Sequence, residues 1–356
     1  MMAGRLVFVT QQVDPGHPAL AATVPKIRAL AARLDEVVVL ADRVLADSLP
    51  ANCRSLSFAS RTKAGRGARF QAALLSELAR RPKPVAVVCH MCPIYAVLAA
   101  PLARPARVPV LLWFTHWKQT RLLEAAERLT TAIVSVDRRS VPLASGKVVA
   151  IGHGIDLNEF PCRPPGQRGS DFRVVALGRY SPAKGLPVVL RAVALALARG
   201  LDLRLEVHGP ALNAAERAHR QELERLVSEL GLARRVRLEP AVLRSQVAEI
   251  FGRADCLVNN MEAGAPDKVV YEAAAACLPV VASNPVFDEL LDGLPLPLRF
   301  SREDAGELAE RLGALAAYDP ADRHLLGQAL RRRVEERHSV ERWAERILEV
   351  AAMRRR

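Results

Sequence analysis

The 356 residues are half hydrophobic and a quarter charged, with 4% aromatics: enough apolar material for two cores, and not the composition of a disordered chain. The net charge of +13 is uneven, since residues 1–165 hold 22 Lys/Arg against 11 Asp/Glu (+11), which leaves 29 against 27 (+2) for the rest. No apolar run reaches the roughly 20 residues that a bilayer-spanning helix needs, and MMAGR leads straight into LVFVT without a secretory leader, so a cytoplasmic location is expected.

The first half predicts alternating strands and helices. LVFVT (6–10) reads as a strand, followed by a helix to about Arg33 and the strand EVVVLA (36–41). A basic loop is expected over 54–70, carrying Arg61, Lys63, Arg66 and Arg69 beside Gly65 and Gly67, then a helix to Ala79. The strand VAVVCH (85–90), a helix near 94–103, the strand VPVLLWFTH (108–116), a helix, AIVSV (132–136), a short helix and KVVAIG (147–152) complete this half. Continuous Val/Ile/Leu runs between amphipathic helices indicate parallel strands covered on both faces.

Six cysteines lie at 53, 89, 92, 162, 256 and 277, mostly in apolar runs, where the thiol packs as a small hydrophobe. Cys89 and Cys92 form a CxxC without a second CxxC or a thioredoxin-like setting, so packing is expected there rather than zinc or redox chemistry.

Residues 153–171, rich in Pro, Gly and polar groups, read as an interdomain linker, after which the rhythm restarts. Its strands are FRVVALG (172–178), RLEVHG (204–209), RVRLEP (235–240), ADCLVNN (254–260) and PVVASN (279–284). The fold class is therefore α/β, with two doubly wound Rossmann-like domains facing across a cleft. The expected division is 1–165 for the first domain, 166–338 for the second, and a C-terminal helix over 339–356 that packs back on the first.

Two segments of the second half carry candidate chemistry. In LGRYSPAKG (177–185) a strand ends, Gly178 turns the chain, and Arg179 and Lys184 stand before a helix, where open parallel sheets bind ligands. Two cations beside free backbone N–H groups suit a diphosphate, although the loop is neither a Walker A motif nor a GxGxxG fingerprint. In GAPDKVVYEAAAA (264–276), Pro266 is expected at the first helical position and Asp267 in the first turn, with Glu272 the one acid well inside an apolar helix. A charge there needs a partner, and a ribose diol would satisfy it.

Taken in order, VPVLLWFTH, AIVSVDRRSVPL, KVVAIGHGIDLNEF, LGRYSPAKGLPVVLRAV, LEVHGP, GAPDKVVYEAAAACLPVVASN and HSVERWAERILEV resemble the retaining GT-B glycosyltransferases of family 4 (glycosyl transferases group 1) over nearly the whole chain. The resemblance implies that Arg179 and Lys184 bind and stabilise the donor diphosphate and that Glu272 holds the donor ribose. It implies that His116 lies near the transferred sugar, whereas His90 is expected to be structural. Gly16, in the first strand–helix loop, is expected beside the donor, though the usual tandem glycines are absent. Gly178 and the loop residues Gly264, Ala265, Pro266, Asp267 and Lys268 are expected to line the donor.

Two departures stand out. The first acid of the family's E-x7-E motif falls on Gly264, with Glu262 and Asp267 as nearby acids. Backbone N–H groups of the loop are the other candidates for holding the sugar hydroxyls, with Lys268 ordering the loop. Cys277 replaces the glycine usual at the helix end before Pro279, a strained choice if φ is positive there.

The function so implied is sugar transfer from a nucleotide-sugar to a hydroxyl with retention, in glycan, glycolipid or cell-surface polysaccharide synthesis. No D-x-D triplet occurs and no metal or cofactor is expected. The alternatives are a nucleotide-sugar epimerase and a catalytically silent scaffold. The expected partners are the donor, a glycan or lipid-linked acceptor, and anionic lipid on the inner face of the cell membrane, met by the basic first half. Nucleic acid is not expected, since no known module or aromatic–basic interleaving is present.

Overall fold

A computed structural model describes residues 2–16, 22–45, 48–164, 171–264 and 266–354. The chain forms two compact units, Met1–Asp156 with Arg337–Arg356, and Leu157–Glu336.

The first unit has a seven-stranded sheet of β1 (Met2–Val13), β2 (Leu34–Val44), β3 (Cys53–Ser57), β4 (Val87–His90), β5 (Val110–Trp113), β6 (Ala132–Ser135) and β7 (Val148–Ala150). Its order is β3-β2-β1-β4-β5-β6-β7, with every neighbouring pair parallel. Around it lie α1 (Thr23–Ala31), α2 (Lys63–Ala79), α3 (Pro93–Ala103) and α4 (Arg121–Leu129). The apolar runs meet Phe58, Phe70, Tyr95 and Leu123 in one core.

The expected basic loop over 54–70 is a correction: it contains most of β3 and the first turns of α2. Phe70, Leu74 and Leu78 recur at helical spacing and are buried, and the Thr62 hydroxyl caps the helix by accepting from Gly65 N–H at 3.0 Å. The arginines of this segment are partly engaged. Arg66 pairs with Asp42 at 3.4 Å, and Arg69 donates to the Ala59 carbonyl.

The second unit has β8 (Phe172–Leu177), β9 (Leu203–His208), β10 (Val236–Glu239), β11 (Cys256–Asn259) and β12 (Val280–Ala282), all parallel in the order β10-β9-β8-β11-β12. Its helices are α5 (Leu186–Ala198), α6 (Ala214–Glu229), α7 (Arg244–Arg253), α8 (Lys268–Ala275), α9 (Asp288–Leu291), α10 (Ala305–Ala317) and α11 (Pro320–His338), the last two residues of which belong to the first unit. Whereas β11 and β12 are buried throughout, β9 alternates, with Leu203, Leu205 and Val207 buried and Arg204 and Glu206 exposed. One face of the sheet is thus open at β9, where the sequence led us to expect cover on both.

The last helix, α12 (Val340–Met353), lies within the first unit. Trp343 and Trp113 pack edge to face, and the Lys26 ammonium sits 4.4 Å from the Trp113 ring centroid and 5.2 Å from that of Trp343. Gly154 and Ile155 N–H donate to the His338 carbonyl at 3.0 and 2.7 Å, so residues 153–156 of the expected linker are fixed. Phe160, further along the same segment, is buried in the second unit, and 165–170 lie outside the described residues.

A second correction concerns the cysteines. Cys162 and Cys277, 115 residues apart, form a disulfide. Cys277 has φ 59°, the left-handed backbone that a helix-end glycine usually supplies. Cys89, Cys92 and Cys256 are buried thiols, and burial raises all three, Cys92 to about 12. Among the described residues no helix is long and apolar enough to cross a membrane.

Candidate functional site

The C-terminal ends of β8 and β11 gather most of the expected residues. After β8, Gly178 takes φ 138°, and its N–H donates to the His208 carbonyl at 3.0 Å. A Cβ there would fall 2.4 Å from Lys184 Nζ, so only glycine lets Lys184 lie across the strand end. Lys184 comes from the 3₁₀ turn Pro182–Lys184 ahead of α5, and its Nζ also reaches the Leu177 carbonyl at 3.4 Å.

Both expected diphosphate cations are paired with acids. The Arg179 guanidinium, 57% exposed, meets Glu216 at 3.1 Å. Glu216 is buried at the start of α6, where its other oxygen accepts from Leu212 N–H at 2.8 Å. It aims Arg179 more than it neutralises it, because an ion pair this exposed is weak. Lys184 pairs with Asp267, whose carboxylate also accepts from Asn259 Nδ2 at 2.9 Å.

Asp267 therefore differs from expectation. It is the residue before α8 rather than within its first turn, and its side chain makes no cap bond. Its carboxylate is taken up by Lys184 and Asn259 instead. Pro266 accordingly precedes the helix and is buried there.

Glu272 has its partners within the protein. It is 5% exposed, on a helix buried along residues 269–275. Its Oε1 accepts from Arg244 Nη1 at 2.8 Å and meets Lys268 Nζ at 2.7 Å. Burial alone would raise this carboxyl, but Lys268 and Arg244 outweigh it and hold the group below its ordinary range. Arg244, at the start of α7, also pairs with Glu159 and lies over the Phe160 ring. Lys268 was expected to order the loop. Spacing of four residues places it over Glu272 instead.

At Gly264, where the family motif has an acid, φ is 127° and no carboxylate is present. Of the two nearby acids, Asp267 is engaged as above. The Glu262 backbone is anchored, its N–H donating to Ala183 O at 2.9 Å and its carbonyl accepting from Asn284 Nδ2 at 3.1 Å, while its side chain is exposed. Ala265 lies outside the described residues.

Gly16 and His116 belong to the first unit. Gly16 N–H donates to Asp14 Oδ1 at 2.8 Å in an exposed turn. His116 is exposed beyond β5, its Nδ1 accepting from Lys118 N–H at 2.9 Å and its ring stacked on Trp117. That bond leaves the proton of the neutral ring on Nε2. His90 is buried between Phe8 and Trp113, and burial, with Lys26 nearby, drives its pKa well down.

Sequence reasoning missed Arg244 and Glu216. Neither lies near its partner in the chain, being 28 and 37 residues away, and an arginine or glutamate on a helix usually signals a solvated face. The unbalanced charge of Glu272 was the one signal that a partner existed.

Residues 171–317 match the family described as glycosyl transferases group 1. The D-inositol 3-phosphate glycosyltransferase of Streptomyces scabiei is 30% identical over 200 residues, 52% of this chain and 43% of that protein. Its counterpart in Streptomyces avermitilis is 29% identical over 240 residues, 61% of this chain and 50% of that protein. The chain thus spans half or less of the length of these relatives. Among solved structures, Anabaena HepE in complex with UDP and glucose superposes with a TM-score of 0.76 at 17% identity, over 98% of this chain and 100% of that one. Sucrose-phosphate synthase from Thermosynechococcus elongatus gives 0.72 at 17% identity, over 98% of both chains. The chain has the GT-B fold, and its residues 171–317 match the model of the glycosyl transferases group 1 family.

Proposed function

We propose that this protein transfers a sugar from a nucleoside-diphosphate sugar to a hydroxyl acceptor, with retention at the anomeric carbon, as a family 4 enzyme in glycan or glycolipid synthesis. The observation that carries this reading is Lys184 lying across Gly178 at the end of β8, with Arg179 aimed by Glu216 beside it. Two cations at the mouth of an open parallel sheet suit a diphosphate leaving group. In the reaction the bond from the anomeric carbon to the diphosphate oxygen breaks. The acceptor oxygen bonds to the same face, and its proton passes to the departing phosphate oxygen. Arg179 and Lys184 stabilise the charge that builds on that phosphate, which is the work a metal ion does in other transferases. Glu272, kept ionised by Arg244 and Lys268, is the acceptor for a ribose diol. For the missing motif acid, the backbone N–H groups of the loop and the exposed Glu262 carboxylate are the candidates. From the first unit we assign His116 to the transferred sugar, on the family resemblance.

UDP-sugars are the first donors to test, since structural neighbours are complexes with UDP and with UDP-glucose. A phosphorylated polyol joins the lipid-linked and glycan acceptors to be tried, because sequence relatives are D-inositol 3-phosphate glycosyltransferases. The test is a nucleotide-sugar panel with acceptor, read as free nucleoside diphosphate and as product anomeric configuration by proton NMR. Release of nucleoside diphosphate with a retained linkage is expected, and Lys184→Ala should lower it about 10²-fold or more. A returned nucleotide-sugar of altered configuration would identify an epimerase. Donor binding without any product would identify a silent scaffold.

A further inference from the structure

The open face of the second unit's sheet holds another cluster of charge, on the strands rather than beyond their ends. Arg173 on β8 is the register partner of Arg204 on β9. Arg235 directly precedes Val236, the partner of Leu205, and its carbonyl accepts from Leu205 N–H at 2.9 Å. Three arginines therefore stand side by side across three adjacent strands. Further along the same face, Arg237 lies opposite Glu206. Together with Arg234 and, from α7, Arg253, they line a recess of about 230 Å³.

The acids nearby do not balance this charge. Asp171 bridges Arg173 at 3.3 Å and Arg204 at 3.1 Å, Arg235 pairs with Asp202, and Arg253 pairs with Glu249. Six arginines against Asp171, Glu206, Asp202 and Glu249 leave 6 − 4 = +2 at the recess. Arg234 and Arg237 enter no ion pair among the described residues. Asp171 and Asp202 offset the like charges along the row itself, which leaves Arg234 and Arg237 beside it as the cations outside any ion pair among the described residues. Strands about 4.8 Å apart bring the guanidinium forks within reach of one ligand, and the fork geometry matches phosphate oxygens. A recess smaller than the roughly 300 Å³ of a drug-sized pocket limits the ligand to a compact one.

We propose that this recess binds a compact polyanion with two or three clustered phosphate groups, at a site distinct from Arg179 and Lys184. The proposal does not depend on the transferase reading. A free oligophosphate and a polyphosphorylated lipid headgroup share this chemistry, so two probes are used. One is isothermal titration with inorganic tripolyphosphate. The other is flotation with phosphatidylcholine vesicles containing a bisphosphorylated phosphoinositide. Both are run on full-length protein carrying R179A/K184A, which removes the other cationic site. This protein is expected to bind at least one probe, and the probe it binds names the source. Adding R204S/R237S should weaken that binding at least about tenfold, as expected for losing charge-assisted hydrogen bonds. Both side chains are exposed, and Arg204 gives up only an exposed ion pair with Asp171, so the melting temperature should change little. Binding of neither probe, or equal binding after R204S/R237S, overturns the proposal.

Discussion

Arg244 donates to Glu272 at 2.8 Å, joining the start of one helix to the middle of another and placing a full positive charge against an almost wholly buried carboxylate. Lys268 meets the same oxygen at 2.7 Å. Glu272 is thereby ionised and fixed in direction before any substrate arrives, which is the state that the proposed ribose-binding role requires.

Removing the guanidinium leaves a buried carboxylate with one cation. Arg244→Met should destabilise the second unit by about 3 kcal/mol, measured by urea unfolding. Adding Glu272→Gln should recover part of that loss, because the uncompensated charge is then gone. Additive losses in the double variant would show that the two residues act independently.

Gly178 tests the proposed phosphate-binding geometry. In Gly178→Ala the methyl carbon meets Lys184 Nζ at 2.4 Å on a backbone with φ 138°. The variant should lose about 1–3 kcal/mol of stability through strain. Displacement of Lys184 should lower kcat/KM for the donor on the order of 10²-fold. A variant with unchanged kinetics would place Lys184 outside the reaction.

His338, at the end of α11, makes the first unit acid-sensitive. Burial, with Arg337 beside it, lowers its pKa from 6.5 to about 4. The unfolded chain therefore binds the proton at a higher pH than the folded one. The stabilisation is complete above pH 6.5 and is lost as pH falls towards about 4, amounting to about 3 kcal/mol. His90, whose pKa is also driven down by burial, acts in the same direction. Unfolding free energy measured against pH should fall across this window, and less steeply in His338→Asn.

The Cys162–Cys277 bond closes a loop of 115 residues. By loop entropy it stabilises the second unit by about 4–5 kcal/mol. Thermal melts with and without a thiol reductant should separate clearly, while Cys162→Ser should melt low in both conditions.

The sequence by itself determined the two α/β units and the placing of Lys184, Arg179 and Glu272 near strand ends. Those features rest on short-range rules: continuous apolar runs make buried parallel strands, and such sheets bind ligands beyond their C-terminal ends. It also showed that Glu272 needed a partner and that Cys277 replaced a glycine. Tertiary structure alone decided that the partners of Glu272 are Arg244 and Lys268, that Asp267 belongs to Lys184, and that Cys277 reaches Cys162. Each of these but the Lys268 contact joins residues from separate elements, and which side chains meet there depends on how whole helices pack on the sheet. The same holds for the arginine row on β8, β9 and β10. The sequence pointed to cover on both faces there, and register across three strands was needed to bring Arg173, Arg204 and Arg235 side by side.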